Sequence, residues 1–152
     1  MITIIWGVNR PYIIDDLPEG EHYNSVYFIE HILKPLTGII DVIWPRRINR
    51  KIWLHLDNCQ VHNSQLTQNA IKDSEFKRAP HPAYSPDLAP SDFFLFGFIK
   101  EQLRGQSFKT EDLYKATYSN MRCISSEKIK EVLYHWKYRC EWVYSNEGEY
   151  FH

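Results

Sequence analysis

Ile52-Trp53-Leu54-His55-Leu56-Asp57 decides the fold. Residues alternate across a strand, so Ile52, Leu54 and Leu56 face one side and Trp53, His55 and Asp57 the other. The stretch reads as a central strand with Asp57 at its C-terminal end, the edge where open α/β sheets bind ligands. Upstream, Ile2 to Trp6 reads as a buried strand closed by Gly7. Asn9-Arg10-Pro11 is a turn, and Tyr12-Ile13-Ile14 starts a second strand, giving a hairpin. Asn24 and Ser25 can cap a helix from about Val26 to Lys34, with Phe28, Ile29, Ile32 and Leu33 on one face. Pro35 stops or bends that helix, and Ile39 to Trp44 fits helix or strand.

Downstream, Ser64 to Lys72 reads as a helix and Phe76 to Ala79 as a short strand. The segment His81 to Pro90 contains Pro82, Pro86 and Pro90, which excludes regular helix or central strand. Ser91 is an N-cap candidate, with Asp92 in the first turn of an apolar helix through Ile99. Two further helices are expected near Glu111 to Ile124 and Ser126 to Tyr144. The strand-to-helix alternation gives an α/β domain with a helical C-terminal portion.

Composition bounds the function. The 152 residues fit one domain, and a 43% hydrophobic, 15% aromatic composition suits a packed core. A formal net charge of -1 gives no bulk support to nucleic-acid binding, so any such case rests on local patches and metal ions. Arg46, Arg47, Arg50 and Lys51 form the densest basic cluster and read equally as phosphate contacts or as a solvated loop. Lys100 and Arg104, one turn apart, fit either a DNA channel or an ordinary exposed helix face. The three cysteines, Cys59, Cys123 and Cys140, are odd in number, widely spaced and without a CxxC pair. That argues against a disulfide framework and a cysteine-rich zinc site, and for a reducing intracellular compartment. The first residues lack a signal-peptide pattern, and no run is long enough to span a bilayer. A soluble intracellular protein is expected, with no membrane partner and no small-molecule substrate.

The chemistry points to the carboxylates. Phosphodiester transfer is served by two divalent cations held by carboxylates converging from different elements. Asp57 at a strand end and Asp92 at a helix start are suitably placed. The plainer reading makes Asp57 a turn residue and Asp92 a favourable charge at a helix N-terminus. His55, Asp57 and His62 together suggest zinc as a weaker alternative. Asn58 and His62 are candidate active-site neighbours and nucleic-acid contacts; alternatively, Asn58 shapes the turn and His62 packs or caps the helix.

His55-Leu56-Asp57-Asn58 and the stretch from His81 through Pro82-Ala83-Tyr84-Ser85-Pro86-Asp87-Leu88-Ala89-Pro90-Ser91-Asp92 to Phe96 resemble the two core motifs of mariner-like transposases. The 34 residues between Asp57 and Asp92 match the mariner-type spacing, and the ending Asn146-Glu147-Gly148-Glu149-Tyr150-Phe151 is also similar. The resemblance implies an RNase H-like mixed sheet flanked by helices, and three acidic residues binding Mg²⁺ or Mn²⁺. It also implies cleavage of DNA at transposon ends and joining to a target. Asp57 would be the second acidic residue and Asp92 the third; Asp87 lies in the motif but not at the catalytic place.

The family's first aspartate and DNA-recognition helices have no counterpart here, since the matching strand would precede Met1. Residues 1–152 are therefore expected to form one partial catalytic domain with the first strand missing: a decayed copy, a mis-started gene model or half of a split frame. Asp15 and Asp16 read as an exposed turn pair rather than a replacement. Weakened metal binding and little strand transfer by the chain alone follow. Expected partners are DNA (transposon ends and target) and a second copy of the chain. The expected location is the nucleus in a eukaryote or the cytoplasm in a bacterium. The rival readings are a non-catalytic DNA-binding or dimerising remnant and an RNase H-like nuclease.

Overall fold

In the computed structural model, β3 (Ile52–Leu54) lies parallel to β4 (Phe76–Arg78), with Ile52 opposite Phe76, Trp53 opposite Lys77 and Leu54 opposite Arg78. Parallel neighbours need a crossover, and the helix Gln65–Asp73 lies on it. The structure describes residues 1–8, 10–45 and 51–151. They fall into two compact units, one of 1–4 and 15–83, the other of 5–14 and 84–152. A second ladder pairs β1 (Ile2–Gly7) with β2 (Arg10–Asp16), whose residues are divided between the units.

The first unit is built on helix 25–43. Asn24 caps it as expected, its side chain accepting from the Tyr27 N–H at 2.9 Å. Pro35 does not stop this helix. The stretch Phe28–Leu33 is π-helical, with Lys34 N–H bonded to the Ile29 carbonyl five residues back, and Lys34–Ile43 continues as α-helix. A wider turn just ahead of the proline accommodates a residue that has no N–H to give and whose ring crowds the preceding turn. Ile39 to Ile43 is thereby settled as helix. Phe28, Ile32, Leu33, Leu36 and Ile40 are buried from this helix, with Leu54, Leu56, Ile71 and Phe76 from the elements around it. Ser64 caps the Gln65–Asp73 helix by accepting from Thr67 N–H at 3.2 Å, and its hydroxyl meets that of Ser25 at 2.7 Å.

Asp15 and Asp16 are half-buried residues ending β2, not an exposed turn pair. The strand runs on past Ile14, with the Leu17 N–H bonded to the Met1 carbonyl at 2.9 Å, and Asp15 Oδ2 accepts from the Tyr27 hydroxyl at 2.9 Å. Burial, and then this carboxylate, push the Tyr27 phenol up to about 12.

In the second unit the helices Phe96–Leu103, Thr110–Cys123 and Ser126–Ser145 bury Ile99, Met121, Ile129 and Val132. Ser125 caps the last of them by accepting from Lys128 N–H at 3.1 Å. Ser91 is not the N-cap. Its hydroxyl accepts from Trp6 Nε1 at 3.1 Å, while the Ala89 carbonyl takes the Asp92 and Phe93 N–H groups at 2.9 and 3.0 Å. The proline-rich segment forms one 3₁₀ turn at Pro86–Leu88 and then passes into a π-helical stretch, Ser91–Leu95. No helix among the described residues is long and apolar enough to cross a membrane.

Asp87 has a structural place in that turn. It is 5% exposed, and its Oδ2 accepts from the Phe151 N–H at 3.0 Å. Arg139 donates to the Asp87 carbonyl at 3.1 Å and lays its guanidinium over the rings of Phe93 and Phe151, 4.1 and 4.6 Å from their centroids. Asp87→Ala leaves the Phe151 N–H without its acceptor and opens a gap beneath Arg139. We expect it to cost about 1–3 kcal/mol in chemical denaturation, and Asp87→Asn, which keeps the acceptor oxygen, to cost less.

Candidate metal centre

Asp57 lies three residues past the end of β3, in a chain segment that keeps strand-like alternation: Leu54 and Leu56 are buried, Trp53 and Asp57 exposed. The ladder continues beyond the strand through Ala79 N–H to the Leu54 carbonyl at 2.9 Å. Arg78, at the end of β4, then fastens the loop. Its two terminal nitrogens donate to the carbonyls of His62 and Asp57 at 2.8 and 3.0 Å, a fork that a lysine could not reproduce.

The Asp57 side chain is 61% exposed. Its Oδ1 accepts from the Cys59 N–H at 3.1 Å and lies 2.7 Å from His62 Nδ1. An ionised carboxylate only accepts, so Nδ1 carries the His62 proton in this arrangement. The other ring nitrogen, Nε2, is 3.3 Å from the Tyr23 hydroxyl. Burial, foremost, pushes the Tyr23 phenol up to about 12, so it stays protonated and can donate to that nitrogen. Burial alone would raise the Asp57 carboxyl, but the Cys59 N–H and the His62 ring outweigh it and hold the group below its ordinary value. Burial, and then the neighbouring Asp57, push the Cys59 thiol up.

His62 is 12% exposed, packed edge-on against Phe28 with ring centroids 4.9 Å apart. Both its nitrogens have partners, and through Nδ1 it orients Asp57. Asn58 shapes the loop: its amide donates to the His81 carbonyl at 2.9 Å. His55 turns away from Asp57 to His81, the two rings meeting at 3.2 Å. The trio His55, Asp57 and His62 is thus not assembled. Instead Asp57, Cys59 and His62 converge, their ligand atoms all within 4.8 Å of one another. The wide spacing of the three cysteines does not single out Cys59; its signal in the sequence is the D-x-C-x-x-H spacing across a turn.

Asp92 is exposed within the π-helical Ser91–Leu95, in the second unit. Segments of this kind are rare and concentrate at functional sites. Lys100 and Arg104 are exposed, with Arg104 paired to Glu101 at 3.3 Å. Arg46, Arg47 and Arg50 lie outside the described residues. Lys51, with Lys72, Lys77 and Arg78, lines an open groove of about 730 Å³ that has no acidic side chain in its wall among the described residues. Beside it the Lys77 ammonium sits 4.6 Å from the ring centre of exposed Trp53.

His55 is held neutral, its pKa lowered to about 4 by burial first and by the charges of His81 and Arg78. The unfolded chain takes up that proton below the ordinary 6.5, so stability falls as pH drops from about 6.5 to about 4 and is level above that window. The Asp57 contribution has the opposite origin and is lost only below its ordinary value of 3.8. Urea midpoints measured across the His55 window should decline in the parent chain and flatten in His55→Gln.

An exposed carboxylate at a strand end, oriented from behind, suits a hard oxygen-seeking cation such as Mg²⁺ or Mn²⁺. The fold that carries these elements is RNase H-like. The chain is homologous to the mariner Mos1 transposase of Drosophila mauritiana, 29% identical over 118 residues that make up 76% of this chain and 34% of that protein. It is equally homologous to the human histone-lysine N-methyltransferase SETMAR, 29% identical over 113 residues, 73% of this chain and 16% of that protein. The chain thus spans about a third of the one and a sixth of the other. Its fold matches the Mos1 transposase catalytic domain solved with Raltegravir and Mg at a TM-score of 0.89 and 22% identity, over 99% of this chain and 76% of that one. No family model matches the chain.

Proposed function

We propose that this chain supplies the core of a mariner-like DNA transposase catalytic domain, with Asp57 and Asp92 as carboxylate ligands of divalent cations that act on DNA phosphodiesters. The observation that carries the reading is Asp57: an exposed carboxylate just beyond β3, fixed by His62 and by Arg78, in a fold like that of the Mos1 catalytic domain. Mos1 structures with Mg, with Mn and as a paired-end complex with the left transposon end support Mg²⁺ or Mn²⁺ and DNA as the ligands here.

Bound there, Mg²⁺ or Mn²⁺ supplies neutralisation of charge on the attacking and leaving oxygens. The protein's part is preparation. His62 keeps its proton on Nδ1 and aims Asp57; the Cys59 N–H and the His62 ring keep Asp57 ionised. The groove of Lys51, Lys72 and Lys77 offers ammonium groups to a phosphate backbone. The 152 residues hold two of the three carboxylates that the family resemblance implies. The chain alone therefore binds metal weakly and performs little strand transfer. A cleavage and joining assay on transposon-end DNA with Mg²⁺ or Mn²⁺ tests this: robust turnover by the chain alone would overturn the weak-site statement. Mn²⁺ binding unaffected by Asp92→Asn would overturn its assignment as a ligand. Two copies on a pair of DNA ends is the matching assembly, read by light scattering with and without DNA.

The same groove favours a second reading, a DNA-binding module without chemistry. It predicts salt-sensitive DNA binding that persists without divalent metal and in both Asp57→Ala and Asp92→Ala. Under the first reading, removing the metal weakens the interaction.

A further inference from the structure

The turn after β3 gathers three different donor atoms. Cys59 is drawn back by its N–H bond to Asp57 Oδ1, and the short helix Gln60–Asn63 that follows carries His62 over the same carboxylate. A carboxylate oxygen, a thiol sulfur and an imidazole nitrogen thereby lie within 4.8 Å of one another. We propose that Asp57, Cys59 and His62 form a tetrahedral site for a thiophilic divalent cation of the zinc class, with water as the fourth ligand.

Three considerations support it. Zinc-class sites that keep an open position use three protein ligands, and their bond lengths of about 2.0–2.3 Å set ligand atoms roughly 3.3–3.8 Å apart, which the cluster reaches with small side-chain movements. The mixture of sulfur, nitrogen and oxygen disfavours Mg²⁺, which takes oxygen ligands, and favours softer ions. The surroundings are already built for ligation: the His62 ring is fixed by Phe28 and by the Tyr23 hydroxyl, and Arg78 pins the carbonyls of both Asp57 and His62. With Nδ1 on the metal, the His62 proton resides on Nε2, where the Tyr23 oxygen accepts it; such outer-shell partners orient metal-bound histidines. The site shares Asp57 with the transposase reading and otherwise does not depend on it. Occupation by a zinc-class ion withdraws Asp57 from a hard cation.

Cobalt titration of the whole chain tests the site, because a thiolate bound to Co²⁺ gives a near-ultraviolet charge-transfer band. The band should saturate at one ion per chain, vanish on adding Zn²⁺ and survive a large excess of Mg²⁺. Cys59→Ser and Cys59→Ala should abolish it, whereas Cys123→Ser and Cys140→Ser should leave it unchanged. His62→Gln should weaken zinc binding on the order of 100-fold, one ligand's share of the affinity of a zinc site. No band in the parent chain, or a band that persists in both Cys59 variants, overturns the proposal. Either result leaves the Mn²⁺ and DNA tests of the transposase reading standing, and failure of those leaves this one standing.

Discussion

Asp57→Ala is expected to weaken Mn²⁺ binding by at least about 100-fold while leaving the fold intact. The magnitude follows from position: removing an outer-shell partner of a metal ligand costs about 10–100-fold, so removing the ligand itself costs no less. The tolerance of the fold follows from exposure. The side chain is 61% exposed, and the loop is held through the Asp57 carbonyl, which Arg78 still finds after truncation. The one bond lost by the backbone, Cys59 N–H to Oδ1, lies at the surface where water can replace the oxygen. Losing the His62 and Cys59 bonds at this exposed position costs about 0.5–1.5 kcal/mol, small beside the whole stability of a domain. Mn²⁺ titration read by electron paramagnetic resonance, beside urea denaturation, separates the two effects. Asp57→Asn sharpens the test, since the amide oxygen can keep the Cys59 bond and only the charge is lost. Undiminished Mn²⁺ binding in both variants would remove Asp57 from the metal site. A collapse in stability would show the residue to be a structural turn former, the plainer alternative.

Much of this arrangement was legible in the residues themselves. The alternation from Ile52 to Asp57 carries through into burial even though regular pairing stops at Leu54, because alternation depends on the extended backbone and not on the ladder. The prolines between residues 81 and 90 correctly excluded regular structure, and the Pro86–Leu88 turn is what remains. What was not legible depended on partners remote in sequence. Ser91 looks like a helix cap until Trp6, 85 residues away, takes its hydroxyl. His55 looks like a third ligand beside Asp57 until His81 occupies it. Pro35 looks like a stop or a bend because local rules assume an α-helical ladder; the stop does not occur, since a π-helical turn precedes the proline. Asp92 stands differently: its motif was plain in the sequence, and the structure adds an exposed position on a π-helical stretch.

Phe28→Ala should have the reverse effect of Asp57→Ala, unfolding the first unit more readily and reaching the metal only through His62. Phe28 is 1% exposed and among the largest fully buried side chains, at the start of the π-helical stretch. Truncating a buried phenylalanine removes its transfer free energy and leaves a cavity, together about 3–5 kcal/mol. For a domain whose whole stability is about 5–15 kcal/mol, that is a large fraction. The cavity also has a direction. The Phe28 ring lies against the His62 ring at 4.9 Å and an interplanar angle of 61°, so its loss frees the imidazole to rotate away from Asp57 Oδ1. Mn²⁺ affinity should then fall about 10-fold, the lower range for an outer-shell defect, in the fraction that remains folded. Phe28→Leu retains most of the volume and should cost less on both counts, with the metal effect shrinking in step with the stability effect. If Phe28→Ala lowers stability and leaves Mn²⁺ affinity untouched, His62 is held by Tyr23 and Arg78 alone. If stability falls by less than about 1 kcal/mol, the helix 25–43 does not anchor the unit at Phe28, and the packing argument fails at its centre.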